Sequence, residues 1–140
     1  MEAIAHFVNF YKKLDPHSLA ELSNLYSEDI KFIDPVTEHN GLAAVHQYFE
    51  QLLENVNECR FDISQVKDNT PDVVVNWVMH FCHPKLKGGK QISVEGISQL
   101  IITDGKVSYQ RDYYDLGSML YEHIPLMGSV IQFLKKRLAS

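Results

Sequence analysis

Apolar residues Ile4, Phe7, Val8, Tyr11 and Leu14 recur at helical spacing and mark one stripe of a first helix. Asp15-Pro16 follows as an N-cap with proline in the first helical position, and it predicts a second helix through Leu19, Leu22 and Tyr26. Residues 30–34 form a short strand that Pro35 ends. Asn40-Gly41 then opens a third helix, with Leu42, Val45, Phe49, Leu52 and Leu53 on one face.

After Glu54 the pattern changes from helical spacing to alternation. Cys59, Phe61 and Ile63 alternate with Arg60, Asp62 and Ser64, which predicts a half-buried strand. The run DVVVNWVMHFC (72–82) is β-branched and aromatic, hence a second strand of this series. PKLKGGK (84–90) supplies a turn. Ile92, Val94, Gly96, Ser98, Leu100 and Ile102 then share one strand face, and Ser93, Glu95 and Gln99 share the other. Asp104-Gly105 is a hairpin signal leading into a last strand, KVSYQRDYYD (106–115). Helices first and antiparallel strands second predict an α+β fold, with helices covering one face of a curved sheet. No repeat or linker divides the chain, so residues 1–140 are expected to form one domain.

The tail, 117–140, is expected to be a C-terminal helical extension interrupted at Pro125. Its last segment, IPLMGSVIQFLKKRL, ends in Lys135, Lys136 and Arg137, and basic residues there complement a helix dipole. This predicts a packed terminal helix. The other reading is an interfacial membrane helix, against which the acidic balance of the remaining chain weighs.

Composition narrows the function classes. A net charge of −5 and a pI near 5.7 argue against nucleic acid as a partner. No apolar run approaches the roughly 18 residues of a membrane span. The first residues lack a charged-then-apolar leader, and Cys59 and Cys82 are isolated thiols suited to a reducing compartment. The cytoplasm is the expected location.

The candidate chemistry begins at FIDPV (32–36), where Asp34 shares a strand side with Ile30 and Phe32. An Asp-Pro aspartate either shapes its own turn or serves as a base. On the last strand Gln110, Asp112 and Tyr114 share a face, and Val107, Tyr109, Arg111 and Tyr113 share the opposite one. If the polar set points into the concave side, it meets Asp34 and the first helix. The result would be an apolar pocket with two carboxylates and several phenols, in which pKa values are pushed apart. The reverse parity would leave Asp112 outside, paired with a basic neighbour. Tyr48, Trp77 and Met79 are expected to line the pocket or fill the core. His80, Cys82 and His83 lie close together in HFCH, but no second ligand cluster accompanies them, and LKGGK lacks the spacing of a phosphate loop. No metal or cofactor is expected.

The order of elements, with YSEDIKFIDPV early and DGKVSYQRDYYD late, resembles the nuclear transport factor 2-like superfamily, in particular its SnoaL-like polyketide cyclase and ketosteroid isomerase branch. The resemblance covers roughly residues 4–116 and implies a cone-shaped sheet closed by the N-terminal helices. In the isomerase pattern the general base is an Asp-Pro aspartate after the first strand, which is matched by Asp34. The oxyanion tyrosine on the first helix is matched by Tyr11. The second acid of that pattern, kept protonated so that it can donate, is replaced here by Ser98. In the limonene epoxide hydrolase pattern, Asp112 in RDYYD matches one of two water-holding aspartates, whereas Trp77 and Met79 stand where the partner Arg-x-Asp should lie. The resemblance therefore implies a small cofactor-independent enzyme moving a proton on an apolar, carbonyl-bearing ligand. Asp34 would be the base, Asp112 a second acid or base, and Tyr11, Ser98 and Tyr114 polarising donors. The alternative is a non-catalytic binding or dimerisation module. Glu95, Ile97, Gln99 and Ile101 on the outer face suit a homodimer surface.

Overall fold

The protein is represented by a computed structural model that describes residues 2–119 and 127–139. Helix α1 (Glu2–Lys12) buries Ala3, Phe7, Phe10 and Tyr11. The stripe thus turns toward Phe10, and Ile4 and Val8 are only half-buried. The predicted cap at Asp15 forms: its carboxylate accepts the His17 and Ser18 amides, and Ser18 Oγ answers the Asp15 amide. The turn it opens is a 3-10 helix, Pro16–Glu21, continued by α2 (Leu22–Leu25). Tyr26 is not the end of this helix. It starts strand β1 (Tyr26–Ile33), four residues earlier than the alternation begins, because the sheet recruits Tyr26 by pairing it with Val107.

Strand β2 (Glu38–Asn40) has no apolar alternation to announce it and exists through backbone pairing with β1. Gly41 follows at φ +91, a conformation that favours glycine, and its amide bonds the Ile30 carbonyl at 2.7 Å. Helix α3 (Leu42–Asn55) then lays Val45 and Phe49 into the core. Strands β3 (Glu58–Asn69), β4 (Asp72–Cys82), β5 (Ile92–Thr103) and β6 (Lys106–Tyr114) form an antiparallel series. Asp104 and Gly105, both at positive φ, make the predicted hairpin turn.

The sheet has six strands in the order β2-β1-β6-β5-β4-β3. Every pairing is antiparallel except β1 with β6, which is parallel. The predicted α+β architecture is therefore present, with β1 and β2 completing one side of the sheet. Helices α1 and α3 cover the inner face, and the core between them holds Phe7, Tyr11, Phe32, Phe49, Phe61 and Trp77.

One parity assignment is corrected. Val107 lies inside, fully buried, rather than with Tyr109 and Arg111. Ile101 pairs with Tyr109 but Ile102 pairs with Val107, so Ser108 is an extra residue that reverses the strand's faces at that point. Helix α4 (Leu116–Met119) begins the tail, and α5 (Met127–Ala139) ends it. Pro125 lies outside the described residues. No helix among the described residues is long and apolar enough to cross a membrane.

Candidate active site

Alternation on β6 turns Gln110 and Asp112 inward, with Tyr114 half-buried beyond them. The inner sheet face, α1 and α3 line a half-open apolar cavity of about 460 Å³, a volume suited to a small organic ligand. Tyr11, Tyr48, Trp77, Met79, Asp112 and Tyr114 all line it. Its mouth lies between the end of α3 (Leu52, Asn55, Val56) and the segment His83, Lys85 and Leu86 that follows β4. Asn55 and Lys85 are exposed, so the polar lining outside the deep end is gathered at the rim.

Asp112 is held by a directed hydrogen-bond chain. Trp77 Nε1 donates to Ser98 Oγ at 2.9 Å, and Ser98 Oγ donates to Asp112 Oδ1 at 2.6 Å. Gln110 Nε2 donates to the same oxygen at 3.0 Å. The neighbouring glycine makes room for this chain. A Cβ at Gly96 would stand 2.3 Å from the Trp77 ring, so the indole lies directly over the β5 backbone. Burial pushes the Asp112 carboxyl up to about 7, against the two hydrogen bonds that favour its charged form, and the charge of Asp34 pushes in the same direction as burial.

Tyr11 belongs to a second network. Gln110 Nε2 also donates to Tyr11 Oη at 3.2 Å, and Tyr26 Oη donates to Gln110 Oε1 at 2.5 Å. Tyr11 and Tyr26 are 2.7 Å apart, and since the Tyr26 proton goes to Gln110, Tyr11 must donate to Tyr26. Each of the three side chains both gives and receives. Burial raises the pKa of Tyr11, Tyr26, Tyr48 and Tyr114, so all four phenols stay protonated.

Asp34 is buried but is not part of the cavity wall. Its Oδ1 accepts the amides of Val36 at 2.8 Å and Thr37 at 2.9 Å, and its own amide bonds the Thr37 carbonyl. The aspartate of FIDPV therefore closes its own turn, as an Asp-Pro aspartate does in an Asx-turn.

Of the sequence-selected residues, the fold brings Asp112, Tyr11, Tyr48, Trp77, Met79 and Tyr114 to one cavity. Ser98 and Gln110 stand behind Asp112 and orient it. Tyr26 was not among the sequence candidates, although it shares parity with Ile30 and Phe32 and would follow from a longer β1. Of the rim residues, His83 drew notice in the sequence only as part of HFCH and Lys85 only as part of a turn; their place in the cavity lining opposite the end of α3 depends on the fold. His80 lies on the outer face, with Nε2 donating to Asp62 at 2.8 Å and Nδ1 bonded to Ser93 Oγ at 2.7 Å. Among the described residues no three His, Cys, Asp or Glu side chains converge in a manner suited to a metal ion.

Comparisons with known proteins agree with this architecture. A putative SnoaL-like polyketide cyclase from Jannaschia sp. CCS1 superposes with a TM-score of 0.76 at 13% identity, covering 89% of this chain and 92% of its own. A second putative SnoaL-like polyketide cyclase, from Shewanella denitrificans OS-217, gives 0.70 at 24% identity over 84% and 93%. A hypothetical protein with a ketosteroid isomerase-like fold from Catenulispora acidiphila DSM 44928, in complex with trimethylamine, gives 0.75 at 15% identity over 89% and 94%. No curated protein shows a significant match to the chain. The family model of the SnoaL-like domain matches residues 7–110, which is most of the chain. With the helix-covered curved sheet, this match shows that the protein belongs to the SnoaL-like domain family.

Proposed function

We propose that the protein is a cofactor-independent general acid–base enzyme that moves a proton on an apolar, carbonyl-bearing small molecule held in the cavity. One observation carries the reading: among the described residues a single carboxyl, Asp112, forms part of an apolar cavity wall and is poised near neutrality by desolvation. Oδ1 already accepts two hydrogen bonds, so Oδ2 is the oxygen that takes the proton from carbon and returns it. Tyr48 and Tyr114, kept protonated by burial, are the phenols that polarise the substrate carbonyl. The role first assigned to Asp34 passes in this reading to Asp112, because Asp112 lines the cavity and Asp34 does not. His83 and Lys85 at the mouth favour a ligand whose outer end is polar or anionic.

The test is deuterium incorporation at the α-carbon of apolar ketones in heavy water, followed by mass spectrometry. The reading expects exchange with the wild type and a loss of at least about a hundredfold in Asp112→Asn. Equal exchange by both proteins would overturn it.

A second reading is a non-catalytic small-molecule-binding module of the same fold. It is favoured by the ring of Tyr11, Tyr26 and Gln110, which commits the Tyr11 proton to Tyr26 rather than to a ligand. Ligand binding without exchange distinguishes it. Under either reading, the outer sheet face is proposed to pair two copies, since Ile101 and Tyr113 are 36% and 44% exposed there beside half-buried Ile97. Ile101→Lys is expected to shift a dimer to monomer in light scattering.

A further inference from the structure

Among the described residues, helix α5 meets the body of the protein at Lys135, Ile131 and Gly128. Lys135 Nζ bonds Asp115 at 2.9 Å, half-buried Ile131 lies beside Gly117, and Gly128 is buried. The rest of the apolar surface points the other way. Val130, Phe133, Leu134 and Leu138 follow one another at helical spacing and form one stripe. They are 51%, 59%, 52% and 87% exposed. An amphipathic helix packed on its own domain turns such a stripe inward. Helix α5 is thus held to the body at Gly128, Ile131 and Lys135, while the stripe of Val130, Phe133, Leu134 and Leu138 faces solvent.

The charge of the helix limits what can cover that stripe. Residues 127–139 include Lys135, Lys136 and Arg137 and no acid, in a chain whose net charge is −5. The Arg137 guanidinium lies over the Phe133 ring at 5.9 Å, which brings a cation to the border of the stripe. A second α5 laid parallel would set cations against cations. Laid antiparallel, each basic end would face a Met-Gly-Ser segment with no acid to answer it. A surface of anionic headgroups over hydrocarbon answers both features together.

We propose that α5 is a docking helix for anionic lipid bilayers. Its Phe133, Leu134 and Leu138 side chains enter the headgroup–acyl boundary, and Lys136 meets the headgroups. The helix lies in the plane of the interface, since it is too short to cross it. The proposal is independent of the chemistry assigned to the cavity.

The test is flotation of the full chain with vesicles of phosphatidylcholine, alone or mixed with phosphatidylglycerol. The wild type is expected to float with the mixed vesicles, and about tenfold less with phosphatidylcholine alone. Phe133→Ser combined with Leu134→Ser and Leu138→Ser should abolish flotation, and Lys136→Glu should weaken it about tenfold on the mixed vesicles. These side chains are exposed, so the circular dichroism spectrum should be unchanged. Failure of the wild type to float, or equal flotation by the triple variant, would overturn the proposal. So would a wild-type dimer that the triple variant converts to monomer, which would assign the stripe to a second copy.

Discussion

Ser98 and Asp112 face each other across the β5–β6 ladder, and Ser98 Oγ donates to Asp112 Oδ1 at 2.6 Å. Because Ser98 accepts from Trp77, its own proton has one direction to go. With Gln110 donating to the same oxygen, a proton on Asp112 is confined to Oδ2. A serine in place of a second acid thus sets which oxygen of the carboxyl does the chemistry.

Asp112→Asn is expected to stabilise the protein in a pH-dependent way. The folded carboxyl titrates near 7, above its ordinary value near 4 in an unfolded chain. Below about pH 4 both states are protonated, and the residue has no net effect. Between about 4 and 7 the unfolded state releases its proton and the folded state does not, so the wild type loses stability as pH rises. The full penalty is on the order of 4 kcal/mol above pH 7. Thermal melts should therefore place the variant well above wild type at pH 8 and close to it at pH 4, and a gap independent of pH would contradict the assignment.

Ser98→Ala removes a hydrogen bond that favours the charged carboxylate, so the Asp112 pKa should rise further. It also strips the buried Trp77 Nε1 of its acceptor, at a cost of about 1–3 kcal/mol. Carbon-13 NMR titration of the Asp112 carboxyl and a urea melt check the two parts separately.

Gly96→Ala drives a methyl group into the Trp77 ring and should destabilise by about 1–3 kcal/mol. The indole must leave its position over β5, so near-ultraviolet circular dichroism and tryptophan emission should change together. An unaltered tryptophan signal would show that the ring is not held as described.

Tyr11→Phe and Tyr26→Phe should each cost about 1–3 kcal/mol, since each breaks the ring at Gln110 and leaves buried polar atoms unpaired. Their effects should not add. Once one hydroxyl is gone the other has lost its partner, so a double-mutant cycle is expected to give a coupling of about 1 kcal/mol or more. Additive losses would dissolve the ring.

The elements that sequence made legible are those fixed by local chemistry. The Asp15 cap, the Asp104-Gly105 turn and the inward face of β5 all follow from residue type and spacing. Elements made by distant pairing were not legible. Polar β2, the early start of β1 and the bulge at Ser108 exist because of partners elsewhere in the sheet. The site divides the same way. Parity put Gln110, Asp112 and Tyr114 on one face of the last strand but left open whether that face was the inner one, and the turn-shaping reading of Asp34 became visible only in its bonds to the Val36 and Thr37 amides. Helix α5 was legible as amphipathic, but no periodicity says which side of a helix the rest of the protein will leave uncovered.

The parallel pairing of β1 with β6 has a consequence for synthesis on the ribosome. Tyr26 and Gln110 are separated by 84 positions, and Tyr11 and Gln110 by 99. An emerging chain that carries α1, β1 and α3 therefore holds two phenols whose buried hydrogen-bond partner has yet to be made. Nascent chains arrested before Gln110 should remain protease-sensitive throughout, and protection should arrive in one step once β6 has cleared the exit tunnel.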